Sequence, residues 1–222
     1  MKRLVTVVTG GGPGIGAAIC RRLAEDGHDV VVGYAGDGHG DADAAEEVAE
    51  DVRRSGARAV CVRADTSLEA EVERLFTSAE KQLGPVTGLV NNGLVNIAGS
   101  AGPSARLADT EPADLRRFVE VNLLGTLLCS RRAARVMTAG GNGVIVNVMP
   151  CTATPGAPVH PAMTNAAVEA LTLNLAEELG PGIRVNAVEP GDTEEVAAVV
   201  AWLMSPDASR VRGTVIRGTG GR

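Results

Sequence analysis

Residues 9 to 16 read Thr-Gly-Gly-Gly-Pro-Gly-Ile-Gly, a turn whose residue types suit one kind of chemistry, the holding of a phosphate. An apolar β-branched run, Leu4 to Thr9, leads into Gly10. Ile15, Ala18, Ile19 and Leu23 follow at helical spacing, and Gly27 stands where a helix would stop. Strand, glycine turn and helix in that order place unpaired N–H groups around an anion, and Gly10, Gly14 and Gly16 let the backbone approach it closely. A plain strand-to-helix turn is the rival reading. A second apolar strand, Val30 to Val32, lies at βαβ distance and favours a nucleotide.

Other side chains with chemistry to offer are spread along the chain. Asp37 lies about 20 residues beyond the turn, where a carboxylate accepts from a free ribose hydroxyl and repels a 2′-phosphate. NAD is therefore favoured over NADP, with a solvated loop aspartate as the alternative. His160 could act as acid or base near neutral pH, and Cys151 as a nucleophile if its pKa were lowered. A loop histidine between two prolines and a small buried thiol are the plainer readings. Cys20, Cys61, Cys129 and Cys151 show no metal-ligand spacing, so no metal site is expected and free thiols in a cytoplasmic setting are.

These residues need a scaffold. The chain has 222 residues, 45% of them hydrophobic but only 2% aromatic, so its core is built from Val, Leu, Ile and Ala. The formal charge of −6, without a basic run, excludes nucleic acid as a partner, and no apolar stretch reaches membrane-spanning length. All but two of the 21 basic residues are arginine, a composition that points to a GC-rich bacterial genome. Strands are predicted at 4–9, 29–34, 59–62, 86–90, 143–148, 183–188 and 213–216. Helices are predicted from residue 15, over 42–55, after a Ser67 cap, and over 112–138, 161–179 and 193–204, the last started by Thr193, which reads as its cap ahead of two glutamates. This alternation predicts a single-domain α/β chain, residues 1–222. Its fold is a doubly wound Rossmann fold with a parallel sheet of about seven strands and helices on both faces.

The order of motifs resembles the short-chain dehydrogenase/reductase (SDR) family over essentially the whole chain. Gly10 to Gly16, with Ile15, is similar to that family's cofactor turn. Asp65, followed by Thr66, matches the acidic residue that meets the adenine amino group. Asn91-Asn92-Gly93-Leu94 is similar to its NNAG, with a departure in the last two residues. Val121-Asn122 matches the helix that carries the catalytic asparagine, and Ile183 to Gly191 matches the sixth strand and the Pro190-Gly191 pair that faces the nicotinamide. The resemblance implies binding of NAD or NADP, and pairing of subunits into dimers or tetramers through helices 112–138 and 161–179.

It also exposes departures. The family's serine, tyrosine and lysine places hold Pro150, Pro161 and Asn165. No shift of register restores them: the only tyrosine is Tyr34, the only lysines are Lys2 and Lys81, and no serine lies between Ser130 and Ser205. The segment that covers substrate in the family is missing between Pro190-Gly191 and the helix at Thr193. The expectation is a protein inactive as a conventional dehydrogenase, in which dinucleotide binding is kept or lost. It would act as a homo-oligomer or beside an active relative, in a bacterial biosynthetic pathway. Two alternatives stay open. One is a non-redox dehydratase, isomerase or cyclase using the open cleft with Asn122, Cys151 or His160. The other is an oxidoreductase with unusual catalytic residues.

Overall fold

Valine dominates the strands because the inner ones are covered on both faces. In the computed structural model, which describes residues 4–36, 39–93, 107–149, 159–189 and 191–217, these strands form one parallel sheet. The elements are β1 (Leu4–Val8), α1 (Ile15–Glu25), β2 (His28–Tyr34), α2 (His39–Arg54), β3 (Ala59–Arg63), α3 (Glu69–Gln82) and β4 (Gly88–Asn91), then α4 (Pro112–Val119), α5 (Thr126–Gly140), β5 (Gly143–Val148), α6 (Val159–Leu179), β6 (Ile183–Glu189), α7 (Thr193–Met204) and β7 (Val215–Arg217). The strand order is β3-β2-β1-β4-β5-β6-β7, so the winding reverses between β1 and β4. In open α/β sheets the crevice at that reversal, outside the carboxyl ends of the strands, is where ligands bind. No helix among the described residues is long and apolar enough to cross a membrane.

One face of the sheet packs under α1, α2 and α7 through Ile19, Leu23, Val48 and Val200. The other packs under α3, α5 and α6 through Leu75, Phe76, Leu89, Met137 and Ile145. Phe76 is fully buried beneath the Arg132 guanidinium, which lies 5.4 Å from its ring centre and also meets Glu73 and Glu80. Phe76→Ala therefore leaves a cavity under a helix pair and should cost about 3–5 kcal/mol. A thermal melt should show the midpoint lowered by roughly 10 °C.

Three local features differ from the sequence expectations. The helix expected over 112–138 is interrupted by a π-helical turn, Glu120–Gly125, between α4 and α5. Gly125 there lies so close to the β3–α3 turn that a Cβ would stand 2.7 Å from Thr66 Oγ1. The Thr126 hydroxyl donates to Asn122 O at 2.9 Å, giving that carbonyl a partner at the irregular turn. Ser67 does not cap α3: its hydroxyl donates to Asp65 Oδ1 at 2.6 Å, and the cap residue is Leu68. Thr193 is the first residue of α7, and the cap is Asp192, whose side chain accepts from the Glu194 and Glu195 amides.

Candidate functional site

The glycine turn is welded to the end of β4. Thr9 Oγ1 accepts from the Asn92 and Gly93 amides at 3.1 and 3.0 Å, and Asn92 Nδ2 donates to Gly10 O at 2.9 Å. A Cβ at Gly16 would stand 1.9 Å from Gly10 O, so Gly16 is demanded by the packing of the turn on itself. Gly14, at φ 78°, is the residue before α1 and gives it no side-chain cap, and the first turn of α1 carries no acidic residue. A Cβ at Gly12 would meet nothing within 4 Å. The result is a helix start with uncapped amides beside open space, which fits a phosphate. Gly10, Gly14, Ile15 and Gly16 therefore come together with Gly93 at the switch between β1 and β4.

On the β2–β3 side, a recess is lined by Gly33, Ala35, Ala64, Asp65, Leu75 and Arg117. The Asp65 carboxylate accepts from the Ser67 amide at 3.0 Å and hydroxyl at 2.6 Å, and from Arg117 Nη2 at 2.9 Å. Burial pushes the Asp65 pKa up, but the Ser67 bonds and the Arg117 charge outweigh it and hold the group below the usual carboxylate value. Thr66 is buried against Gly125. Asp37 and Pro190 lie outside the described residues; Gly191 follows the end of β6 and is exposed. Arg117 went unnoticed in the sequence, because its partner lies 52 positions away and nothing local marks the pair.

At the β4–β5–α6 end the polar groups form a buried chain. Asn91 Nδ2 donates to Asn147 Oδ1 at 2.8 Å and to Ser130 Oγ at 3.1 Å, and Asn147 Nδ2 donates to Thr172 Oγ1 at 2.9 Å. Asn91 thus braces β4 against β5 and α5. Asn122 is fully buried in the π turn, and Asn165 is buried in α6. Tyr34 closes β2, and Lys81 sits in the last turn of α3, so neither belongs to β5 or α6. Pro150 and Cys151 lie outside the described residues, and Pro161 is partly buried in the first turn of α6. Among the described residues no group of His, Cys, Asp or Glu side chains could hold a metal ion.

His160 is 7% exposed, stands edge-on to Phe118 with ring centres 4.9 Å apart, and its Nδ1 has no hydrogen-bond partner among the described residues. Burial lowers its pKa, so the fold favours the neutral ring. Because the folded pKa is below the unfolded one, the unfolded chain takes up the proton first, and stability falls as pH drops through about 6.5. Thermal melts between about pH 7 and pH 5 should show this loss, and His160→Gln should reduce it. An unchanged slope in the variant would show that the ring titrates alike in both states.

The family model described as short chain dehydrogenase matches residues 4–202. The chain is 37% identical to a cis-4-hydroxycyclohexanecarboxylate dehydrogenase of Sinomonas cyclohexanicum, over 98% of this chain and 95% of that protein. It is 31% identical to glucose 1-dehydrogenase 2 of Bacillus subtilis, over 97% and 93%. Among solved structures, a hydroxysteroid dehydrogenase from Escherichia coli superposes with a TM-score of 0.84 at 29% identity, covering 99% of this chain and 96% of that one. A short-chain dehydrogenase/reductase from Burkholderia xenovorans gives a TM-score of 0.86 at 26% identity, covering 98% and 97%. The first alignment runs over 248 residues, longer than the whole chain, so that relative carries segments absent here.

Proposed function

This chain belongs to the short-chain dehydrogenase family, and from that premise we propose that it is a dinucleotide-binding member that has given up ordinary carbonyl reduction and acts through a partner chain. One observation carries the reading: the places where the family resemblance puts a proton relay hold Pro150, Pro161 and Asn165, and the only tyrosine sits at the end of β2. Proline has no exchangeable proton, and an asparagine amide has no charge with which to lower a neighbour's pKa. Only residues 190–192 separate β6 from α7, too few for a cover over the cleft. An open cleft keeps water in the site and weakens every electrostatic contribution to catalysis.

The platform itself is intact in this reading. Gly10, Gly14, Ile15 and Gly16 cradle the pyrophosphate, and Asp65 and Thr66 meet the adenosine. Asn91 and Gly93 shape the floor, Pro190 and Gly191 face the nicotinamide, and Asp37 selects NAD over NADP. The partner surface is α5 with α6. Helix α6 exposes Met163 and Leu173 and α5 exposes Leu127, apolar surface that a second copy or an active relative would cover. Cys20, Cys61 and Cys129 are free thiols, which suits a cytoplasmic protein.

Titration with NADH and NADPH by fluorescence tests the platform: NADH should saturate, with NADPH weaker. Light scattering tests the partner role. A dimer or tetramer is expected, and a monomer that co-purifies with nothing would refute it. A second reading, a non-redox enzyme, is favoured by the buried His160 Nδ1, which has no hydrogen-bond partner among the described residues and lies beside Pro161. His160→Ala would abolish such turnover, and unchanged turnover would remove His160 from it.

A further inference from the structure

β6 ends on Glu189, whose register partner in β7 is Arg217. Glu189 is buried, at 5% exposure. Arg217 meets its carboxylate through Nε at 3.4 Å and meets Glu169 of α6 through Nη2 at 2.8 Å. Two carboxylates thus share one guanidinium, and the trio keeps one negative charge. Asn165 stands four residues before Glu169, on the same side of α6. It is buried and neutral where the family resemblance sets a lysine. Glu189, Gly191 and Glu195 line one small hollow at this end of the sheet, and among the described residues no basic side chain lines it.

We infer that the nicotinamide end of this cleft selects the redox form of the dinucleotide, taking oxidised NAD⁺ in preference to NADH. This rests on the dinucleotide reading and adds which form of the ligand the chain reports. The oxidised ring is a pyridinium with one positive charge, and the reduced ring is neutral. The rest of the ligand is the same in both, so a fixed charge near the ring discriminates between them. Gly191, which that reading sets against the ring, lies two residues beyond Glu189. A lysine in the family's place would oppose a pyridinium. Asn165 removes that cation, and Glu189 supplies an anion from the strand end. Burial shields the Glu189 charge from salt, while Arg217, about half exposed, offsets part of it. The preference should reach about tenfold. Such selection suits a chain without a proton relay, because its occupancy follows the oxidised form without consuming it.

The test is calorimetric titration of the wild-type chain, Glu189→Gln and Asn165→Lys with NAD⁺, NADH and ADP-ribose. Wild type should bind NAD⁺ about tenfold more tightly than NADH. Glu189→Gln keeps the size of the side chain and removes its charge, and should bring the two forms within about threefold of each other. Asn165→Lys sets a cation at the same end and should put NADH ahead of NAD⁺. ADP-ribose has no nicotinamide ring and should bind all three chains alike. Thermal melts check folding; if Glu189→Gln does not fold, wild type and Asn165→Lys decide. If wild type binds both forms equally, or NADH more tightly, the inference falls while the dinucleotide reading stands. An NAD⁺ preference that neither folded variant reduces would place its source elsewhere and overturn the inference too. If NAD⁺, NADH and ADP-ribose all fail to bind to wild type, the dinucleotide reading falls with it.

Discussion

Gly12→Asp should abolish NADH binding, a loss of at least roughly a hundredfold, while the thermal midpoint stays near that of the wild type. A Cβ at Gly12 meets nothing within 4 Å, so the side chain enters open space and sets a carboxylate beside the uncapped start of α1. Like charges then face each other where a pyrophosphate would rest. Gly16→Asp should behave differently. Its Cβ would fall 1.9 Å from Gly10 O and 2.9 Å from Asn92 Nδ2, so that variant breaks the turn and lowers stability before any ligand is added. Calorimetry and thermal melts on the two variants separate a blocked cradle from a broken fold. Gly12→Asp binding NADH like the wild type would show that the phosphate does not lie there.

Carbonyl reduction by the wild-type chain should run at least roughly 10⁴-fold below that of a relative with a serine, tyrosine and lysine in the relay places, because positioned acid–base groups contribute about 10²–10⁴ and the open cleft removes more. Steady-state NADH oxidation over a panel of ketones and aldehydes measures it. The deficit should persist from mildly acid to mildly alkaline pH, since a missing donor is not restored by titration. Turnover within tenfold of such a relative would mean that another side chain supplies the proton.

The doubly wound sheet was readable from sequence because its signals are local and repeat: valine runs of strand length, apolar helical spacing, and glycine at each turn. β5 and α7 fall where the periodicities place them. What went unread depends on distance in sequence. The helix from Pro112 carries one unbroken apolar pattern, so the π turn has no local mark; it shows only where Gly125 meets Thr66. Ser67 has the residue type of a cap, but Asp65, two positions back, takes its hydroxyl. Thr193 yields the cap to Asp192, an equally good acceptor one residue earlier. Within the site, the glycine turn was legible as a motif, although the reason for Gly16 is its contact with Gly10 and Asn92. The Asn91–Asn147–Thr172 chain and the Arg117 clasp join strands and helices far apart in sequence, and no spacing rule reaches them.

Single turnover tests the central claim most directly. The chain, in excess over NADH so that all the nucleotide is bound, is mixed with the carbonyl panel, and nicotinamide absorbance and bound-NADH fluorescence are followed together. The expected record is a saturated binding signal and an absorbance that does not decay with any carbonyl. Stoichiometric, substrate-dependent oxidation of the bound NADH on the timescale of an active dehydrogenase would contradict it.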